Sequence, residues 1–488
     1  MKDSRSVEPN VRRLLACISF VVLLVTIALH FGLVDVGQWT NDEFGIIASY
    51  RDKPWPALCD RVMRWSPRPV SELLIWIYAW LVNLTHKPFI GIFLGLLWLM
   101  LLSTPLIAFL QLRMRFSRDW RGPSLYFSIF AWQLTALFLL EHSPGELFYW
   151  PVGAAAYLTT LSAITLCFFQ LACNLTEHHG GRIIAALSLV FAAGSSETGA
   201  FFTLVFGCLS LIGMSVDKVV GTVCNRKILW HLIPALFALG LFGFLLHNRA
   251  RTQEALFPNP EYHNLYISLK AALGQTLKEY LVSGHRLSTR GILLGLLLKA
   301  CFFLAVRYCW LSSGIKVPRK QVLIIFALSV VATNYFSIAA SYYGYGGLTN
   351  SWHEELRQCM VMLFVATMGL FSCHYRPRIR NERRGEWLAA LFVLATVILL
   401  VPRRCTALIH DYRNYTVCIE NRNKSWASGL ADGNTMIWFS PPTGQVANTL
   451  IFPPGTYDLE SQNADYVHIM HFFNKSVLEI RPYIEKYD

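Results

Sequence analysis

What most constrains this chain is the recurrence of long apolar runs that carry no charge. The stretches 88–112 and 123–140 contain no Asp, Glu, Lys or Arg. A bilayer core of about 30 Å takes about 20 apolar residues in helical form, because a helix satisfies every backbone N–H and C=O within one segment. Apolar runs fall at 14–34, 88–112, 123–140, 151–173, 183–196, 199–216, 228–247, 291–311, 321–340, 357–372 and 386–401. Apolar types make up 54% of the 488 residues and charged types 15%, against about 45–50% and about 25% in soluble domains. The expected fold class is an all-α polytopic membrane protein of about eleven transmembrane helices.

The net charge of +13 would suit nucleic acid if it formed one patch, but it is spread over short connections between apolar runs. With the N-terminus inside, the stretches 1–13, 113–122, 174–182, 217–227, 312–320 and 373–385 share 20 Lys and Arg, whereas the opposite connections 141–150, 197–198 and 341–356 hold none. That is the asymmetry of the positive-inside rule, from which the long segments 35–87, 248–290 and 402–488 are exempt. The stretch 70–84 tempts a further span, but counting it would put Arg113, Arg115, Arg118 and Arg121 outside. It reads instead as an interfacial or re-entrant helix. Lys2 to Arg13 and the apolar run behind them resemble a signal peptide, yet no small-residue cleavage site precedes Asp35, so an uncleaved first helix is expected.

The domain organisation follows. Residues 1–401 form the membrane part, with external loops 35–87 and 248–290, and 402–488 form an extracytoplasmic C-terminal segment. Turn signals at Ser440-Pro441-Pro442 and Pro453-Pro454-Gly455 point to a small α+β or irregular cap there. The twelve cysteines are scattered with no metal-ligand spacing, and Cys405 and Cys418 are the pair available for a disulfide. No phosphate-cradling glycine motif occurs, which argues against a soluble nucleotide-binding role, and no nucleic-acid partner is expected.

Candidate chemistry gathers on the external side. Asp42 and Glu43 follow the first helix directly, ahead of Arg64-Trp65-Ser66-Pro67-Arg68-Pro69. A carboxylate at a membrane surface can act as general base toward a sugar hydroxyl, and an arginine can neutralise a phosphate; an interfacial loop with solvated charges is the plainer alternative. Glu197 lies among small residues between two apolar runs, and a carboxylate near the bilayer is costly enough to suggest either a cavity-facing helix break or a tight surface turn. Glu146 leads into Phe148, Tyr149 and Trp150, which suit stacking on a sugar face or anchoring a helix at the interface. Arg249 and Arg251 open the loop 248–290 on the side where positive charge is disfavoured, as an anchor for a lipid phosphate or for anionic headgroups. Trp352 and Glu354 close a flexible aromatic loop suited to carbohydrate contact.

The pattern resembles the GT-C class of membrane glycosyltransferases. The resemblance rests on Asp42-Glu43 after the first helix, Arg68-Pro69 leading into a helical stretch, Tyr149-Trp150-Pro151-Val152-Gly153 opening a span with Tyr157, and the Ser196-Glu197-Thr198 break. Size, helix count and an external C-terminal segment resemble especially the serotype-converting O-antigen glucosyltransferases encoded by bacteriophages. The resemblance implies a bacterial inner-membrane enzyme, inverting and metal-independent. It would need no cofactor beyond its lipid-linked donor, and would move glucose or a similar hexose from undecaprenyl phosphate to an O-antigen or other glycan acceptor in the periplasm. Asp42 or Glu43 would be the base and Glu197 would orient donor or acceptor. Arg68, Arg251 and Arg249 are placed at the donor phosphate by charge alone, and Glu146, Tyr149, Trp150, Trp352 and Glu354 at the sugars. An O-antigen polymerase and a transporter or lipid flippase are the alternatives; three extended external segments and no paired broken helices weigh against the latter.

Overall fold

A computed structural model describes residues 7–39, 41–65, 67–115, 121–140, 145–218, 230–244, 264–281, 289–345, 351–375, 382–442, 444–447, 453–461 and 463–482. Arg249 and Arg251 lie outside the described residues, as do the side chains of Asp42 and Trp352. The chain is overwhelmingly helical. Its helices are α1 (Val7–Phe31), α2 (Asn41–Asp52), α3 (Pro54–Asp60), α4 (Pro69–Thr85), α5 (Ile90–Arg115), α6 (Arg121–Leu140), the short α7 (Gly145–Tyr149), α8 (Pro151–Ala172), α9 (His179–Ser195), α10 (Glu197–Lys218) and α11 (Trp230–Phe244), followed by α12 (Leu265–Leu281), α13 (Thr289–Ser313), α14 (Lys320–Tyr345), α15 (Ser351–Ser372) and α16 (Glu382–Leu430). Among the described residues seven helices are long and apolar enough to cross a membrane: α1, α5, α8, α13, α14, α15 and α16. Four shorter apolar helices, α4, α6, α10 and α11, accompany them.

Hydrogen bonds gather the arginine-bearing connections at one end of the bundle. Arg12 pairs with Glu386 at 2.7 Å. The Arg115 guanidinium donates to the Asn174 carbonyl at 3.4 Å, and the Asn174 amide donates to the Lys316 carbonyl at 2.8 Å. Arg307 donates to the carbonyls of Ser372 and Tyr375, while the His374 ring nitrogen meets the Pro318 carbonyl. Five of the six stretches grouped by their positive charge thus meet at one end. The sixth, 217–227, falls almost wholly outside the described residues.

Helix α4 begins and ends at the opposite end, which a spanning helix cannot do. Arg68, its N-cap, pairs with Glu197 at the start of α10, and the His86 carbonyl just past its last turn accepts the Trp426 indole N–H at 2.8 Å. His86 closes the helix in the left-handed conformation, at φ 54°. Leu73, Ile77, Trp80 and Leu84 form an exposed apolar stripe, while Glu72, Ile75, Tyr78 and Val82 are buried. An exposed apolar stripe over a buried face is the amphipathic pattern that a helix lying in an interface takes.

Two expectations are corrected. The segment 248–290 is not an aqueous loop throughout. Over α12, Leu265, Ile267, Leu273, Leu277 and Leu281 are exposed and Ser268, Thr276 and Glu279 buried. An outward apolar face over an inward polar one suits acyl chains as the solvent. The boundary at 401 is likewise absent: α16 runs unbroken for 49 residues through Pro402. Proline removes one backbone donor and crowds the preceding turn, but α16 is held along its length by α1 and the first loop. The Tyr412 hydroxyl donates to the Leu29 carbonyl at 2.6 Å, Arg422 to the Gly37 carbonyl at 3.0 Å, and Tyr415 to the Asp35 carboxylate at 3.1 Å. Cys405 and Cys418 are free thiols on this one helix, thirteen residues or about 20 Å apart by helical rise, too far to bridge.

Beyond α16 the chain forms a three-stranded sheet in the order β1-β3-β2, with β1 (Thr435–Phe439) parallel to β3 (Val477–Arg481) and β2 (Gly455–Asp458) antiparallel to it, and α17 (Ala464–Phe473) packed between sheet and bundle. Two charges fasten it to α16. Lys475 donates to the carbonyls of Ala431 and Gly433 past the last turn, where the helix dipole is negative. Asp411, buried, accepts the backbone N–H groups of Gln445, Val446 and Ala447 at 2.7, 2.7 and 2.9 Å. Asp411→Ala would orphan these three donors at about 1–3 kcal/mol each at most. We expect Asp411→Ala to lower Tm and expose 440–447 to protease while leaving the helical circular dichroism unchanged, with Asp411→Asn intermediate; wild-type protease resistance would show that the tail is held by other contacts.

Candidate functional site

The break between α9 and α10 is built around Ser196 and Gly199. Ser196 is extended, and its hydroxyl accepts the Gly199 N–H at 3.1 Å as an N-cap while sharing a hydrogen bond with Thr160 at 2.7 Å. A Cβ on Gly199 would stand 2.0 Å from the Ala192 carbonyl oxygen, so only glycine lets the two helices approach this closely. Glu197 thereby occupies the first turn of α10, where a carboxylate is favoured. It meets Arg68 twice, Nη2 to Oε1 at 3.0 Å and Nε to Oε2 at 2.8 Å. The guanidinium carbon lies 5.6 Å from the centre of the Tyr157 ring, and the Tyr157 hydroxyl lies 3.1 Å from His353 Nε2. Burial, the largest single effect, works against the charge on Arg68, but Glu197, Tyr157 and Glu72 together outweigh it and the net shift is upward.

Behind this pair stands a second one. Glu72 accepts Arg61 through both oxygens, at 2.7 and 3.0 Å, and the Tyr50 hydroxyl at 2.8 Å. Burial and then the Glu72 carboxylate hold the Tyr50 phenol protonated well above its ordinary value. Arg68 ties α4 to α10, while Arg61 ties it to the turn after α3 and Tyr50 ties it to α2.

Glu43 is wholly buried, and its carboxylate accepts the Val152 N–H at 3.2 Å at the start of α8. Pro151 has no N–H, so Val152 carries the first open donor of that helix. Asp42 precedes it in the first turn of α2. Glu146 and Leu147 donate their backbone N–H groups to the buried Glu355 at 3.3 and 2.6 Å. Phe148, Tyr149 and Trp150 are buried, and the Tyr149 hydroxyl donates to the His30 carbonyl at 2.9 Å. These aromatics serve as internal packing, not as an open platform for a sugar. Of the last external loop, Glu354 is half-buried in the first turn of α15, next to His353 and Glu355. Among the described residues no three His, Cys, Asp or Glu side chains are placed to hold a metal ion.

Sequence reading placed His353 and Glu355 in the last external loop without a role of their own, and missed the Arg357–Glu279 pair. Arg357 and Glu279 form three contacts of 3.0–3.2 Å with side chains 2% and 1% exposed. An arginine opening an apolar run was the available signal. Its partner was hidden, because α12 reads as loop. No known protein family and no curated protein matches this chain.

The Arg68–Glu197 pair is partly desolvated and bidentate, so its members should couple. In a double-mutant cycle of Arg68→Ala and Glu197→Ala followed by thermal unfolding in detergent, we expect a coupling of about 0.5–3 kcal/mol, each single variant stranding its partner's charge. Additive effects would show that the pair stores no interaction energy.

Proposed function

We propose that the chain is a membrane glycosyltransferase of about eleven spans with the α4 end outside the cytoplasm, moving a hexose from a polyprenyl phosphate to a glycan acceptor. What supports this most is that the first-loop helix α2, with Asp42 and Glu43, and the Arg68–Glu197–Tyr157–His353 cluster share one end of the bundle beneath the interfacial helix α4. A lipid-linked donor would lie with its phosphate at that depth, within reach of an arginine.

In this reading the acceptor hydroxyl attacks the anomeric carbon, its proton passes to Asp42, and the anomeric C–O bond to phosphate breaks with inversion, the electron pair leaving on the polyprenyl phosphate. Glu43 is committed to the N-terminus of α8, so it holds α2 in place and Asp42 takes the base. Arg68, already polarised by Glu197, carries the growing phosphate charge, which matters most in the transition state. Arg249 and Arg251 lie outside the described residues, and are assigned to the donor phosphate by their charge alone.

Membranes bearing Asp42→Asn should transfer sugar from a polyprenyl phosphate hexose donor about 100- to 10,000-fold more slowly. Glu43→Gln, whose amide oxygen can still accept from Val152, should keep a larger share of the rate. Normal rates in both would rule out a first-loop base.

A further inference from the structure

An open groove of about 930 Å³ lies between α2 and α3 of the first loop on one wall and α17 of the C-terminal segment on the other. We propose that this groove binds the acceptor as a neutral carbohydrate chain, an inference that rests on the glycosyl-transfer reading above.

Its register on α2 is the first argument. Gly45, Ala48, Ser49 and Asp52 line it, at the i, i+3, i+4 and i+7 spacing of one helix face. Position 42 stands one turn before Gly45 in the same series; within it Ala48, 1% exposed, sits at the seam with the buried face of Phe44 and Ile47. The groove therefore runs along α2 toward the position assigned as base. Gly45 lets α17 approach: a Cβ there would meet the His468 ring at 3.2 Å.

The lining chemistry is the second argument. The lining is largely apolar, with Ala48, Pro56, Ala57, Met63 and Val467, and it also carries the polar groups of Ser49, Asp60 and His471. A pyranose has the same division, with C–H faces and a hydroxyl edge needing both donors and acceptors. Charge is the third. Asp52 and Asp60 outnumber Lys53 in the lining, which disfavours a phosphate and leaves the donor to the arginine side at Arg68. The volume falls within the range of ligand clefts, about 300–1,000 Å³.

The test uses the purified full chain and delipidated O-antigen polysaccharide, with binding read by calorimetry and transfer read separately in membranes. Ala48→Trp, which adds bulk to the apolar lining, should abolish polysaccharide binding, and Asp60→Asn, at an exposed lining residue, should weaken it about tenfold. In transfer, both should raise the KM for acceptor and leave the KM for donor within about twofold, since a phosphate-binding defect would move the donor instead. Asp60→Asn alters an exposed side chain, so its result stands even if Ala48→Trp fails to fold. Groove-dependent binding without any transfer would leave the groove standing and overturn the enzymatic reading. Transfer with wild-type acceptor KM in both variants, or no polysaccharide binding by the wild-type chain, would overturn the groove.

Discussion

Buried backbone donors at the starts of helices organise this protein. Helices α7, α8 and α10 all begin at one end of the bundle, each with N–H groups that no helical partner satisfies. Glu355 accepts from the start of α7, Glu43 from α8, and Glu197 stands in the first turn of α10 beside the Ser196 cap. Glu355 and Glu43 meet partial positive charge where water is scarce, and each comes from a segment distant in sequence, while Glu197 belongs to α10 itself and reaches across to Arg68 at the start of α4. Placing a carboxylate correctly therefore places two elements at once. The acidic character of this end, which draws attention to it as a site, is in large part what assembles it.

The arginines divide into two populations by what they do. At one end Arg12, Arg115 and Arg307 tie together the short connections, several of them through backbone carbonyls. At the other, Arg61 and Arg68 are paired bidentately with Glu72 and Glu197 and fix an interfacial helix between the bundle and the first loop. Carbonyl contacts of the first kind need only a donor with reach. The forked contacts of the second kind need a planar guanidinium in a set orientation, which lysine does not supply.

How much of this was legible varies with the physics of each element. Apolar runs carry the bilayer requirement residue by residue, so the helical membrane class, seven helices of spanning length and the grouping of the connections could be read directly. The break at Ser196 was visible because small residues around a carboxylate have few other uses. Three things were hidden. That Glu43 and Glu355 turn inward depends on helix phase that a sequence does not display. The inverted amphipathicity of α12 resembles a polar loop when its buried Ser268, Thr276 and Glu279 are scored without knowing which way they face. Pro402 looked like a terminus, and the contacts that carry α16 past it come from the other end of the chain.

The length of α16 has a geometric consequence. Tyr412 stands level with Leu29 near the end of α1, and the helix runs a further eighteen residues to Leu430, about 27 Å by helical rise. Since the sheet and α17 are fastened back onto that same helix by Lys475 and Asp411, the tail cannot extend away from the bilayer on its own. It behaves as a bracket of fixed height. On the glycosyl-transfer reading proposed above, a polymer tethered to the membrane by its own lipid would be met only along the portion of its length that falls beneath that height, so the protein's stature, and not the polymer's overall length, would decide which repeat units come within reach.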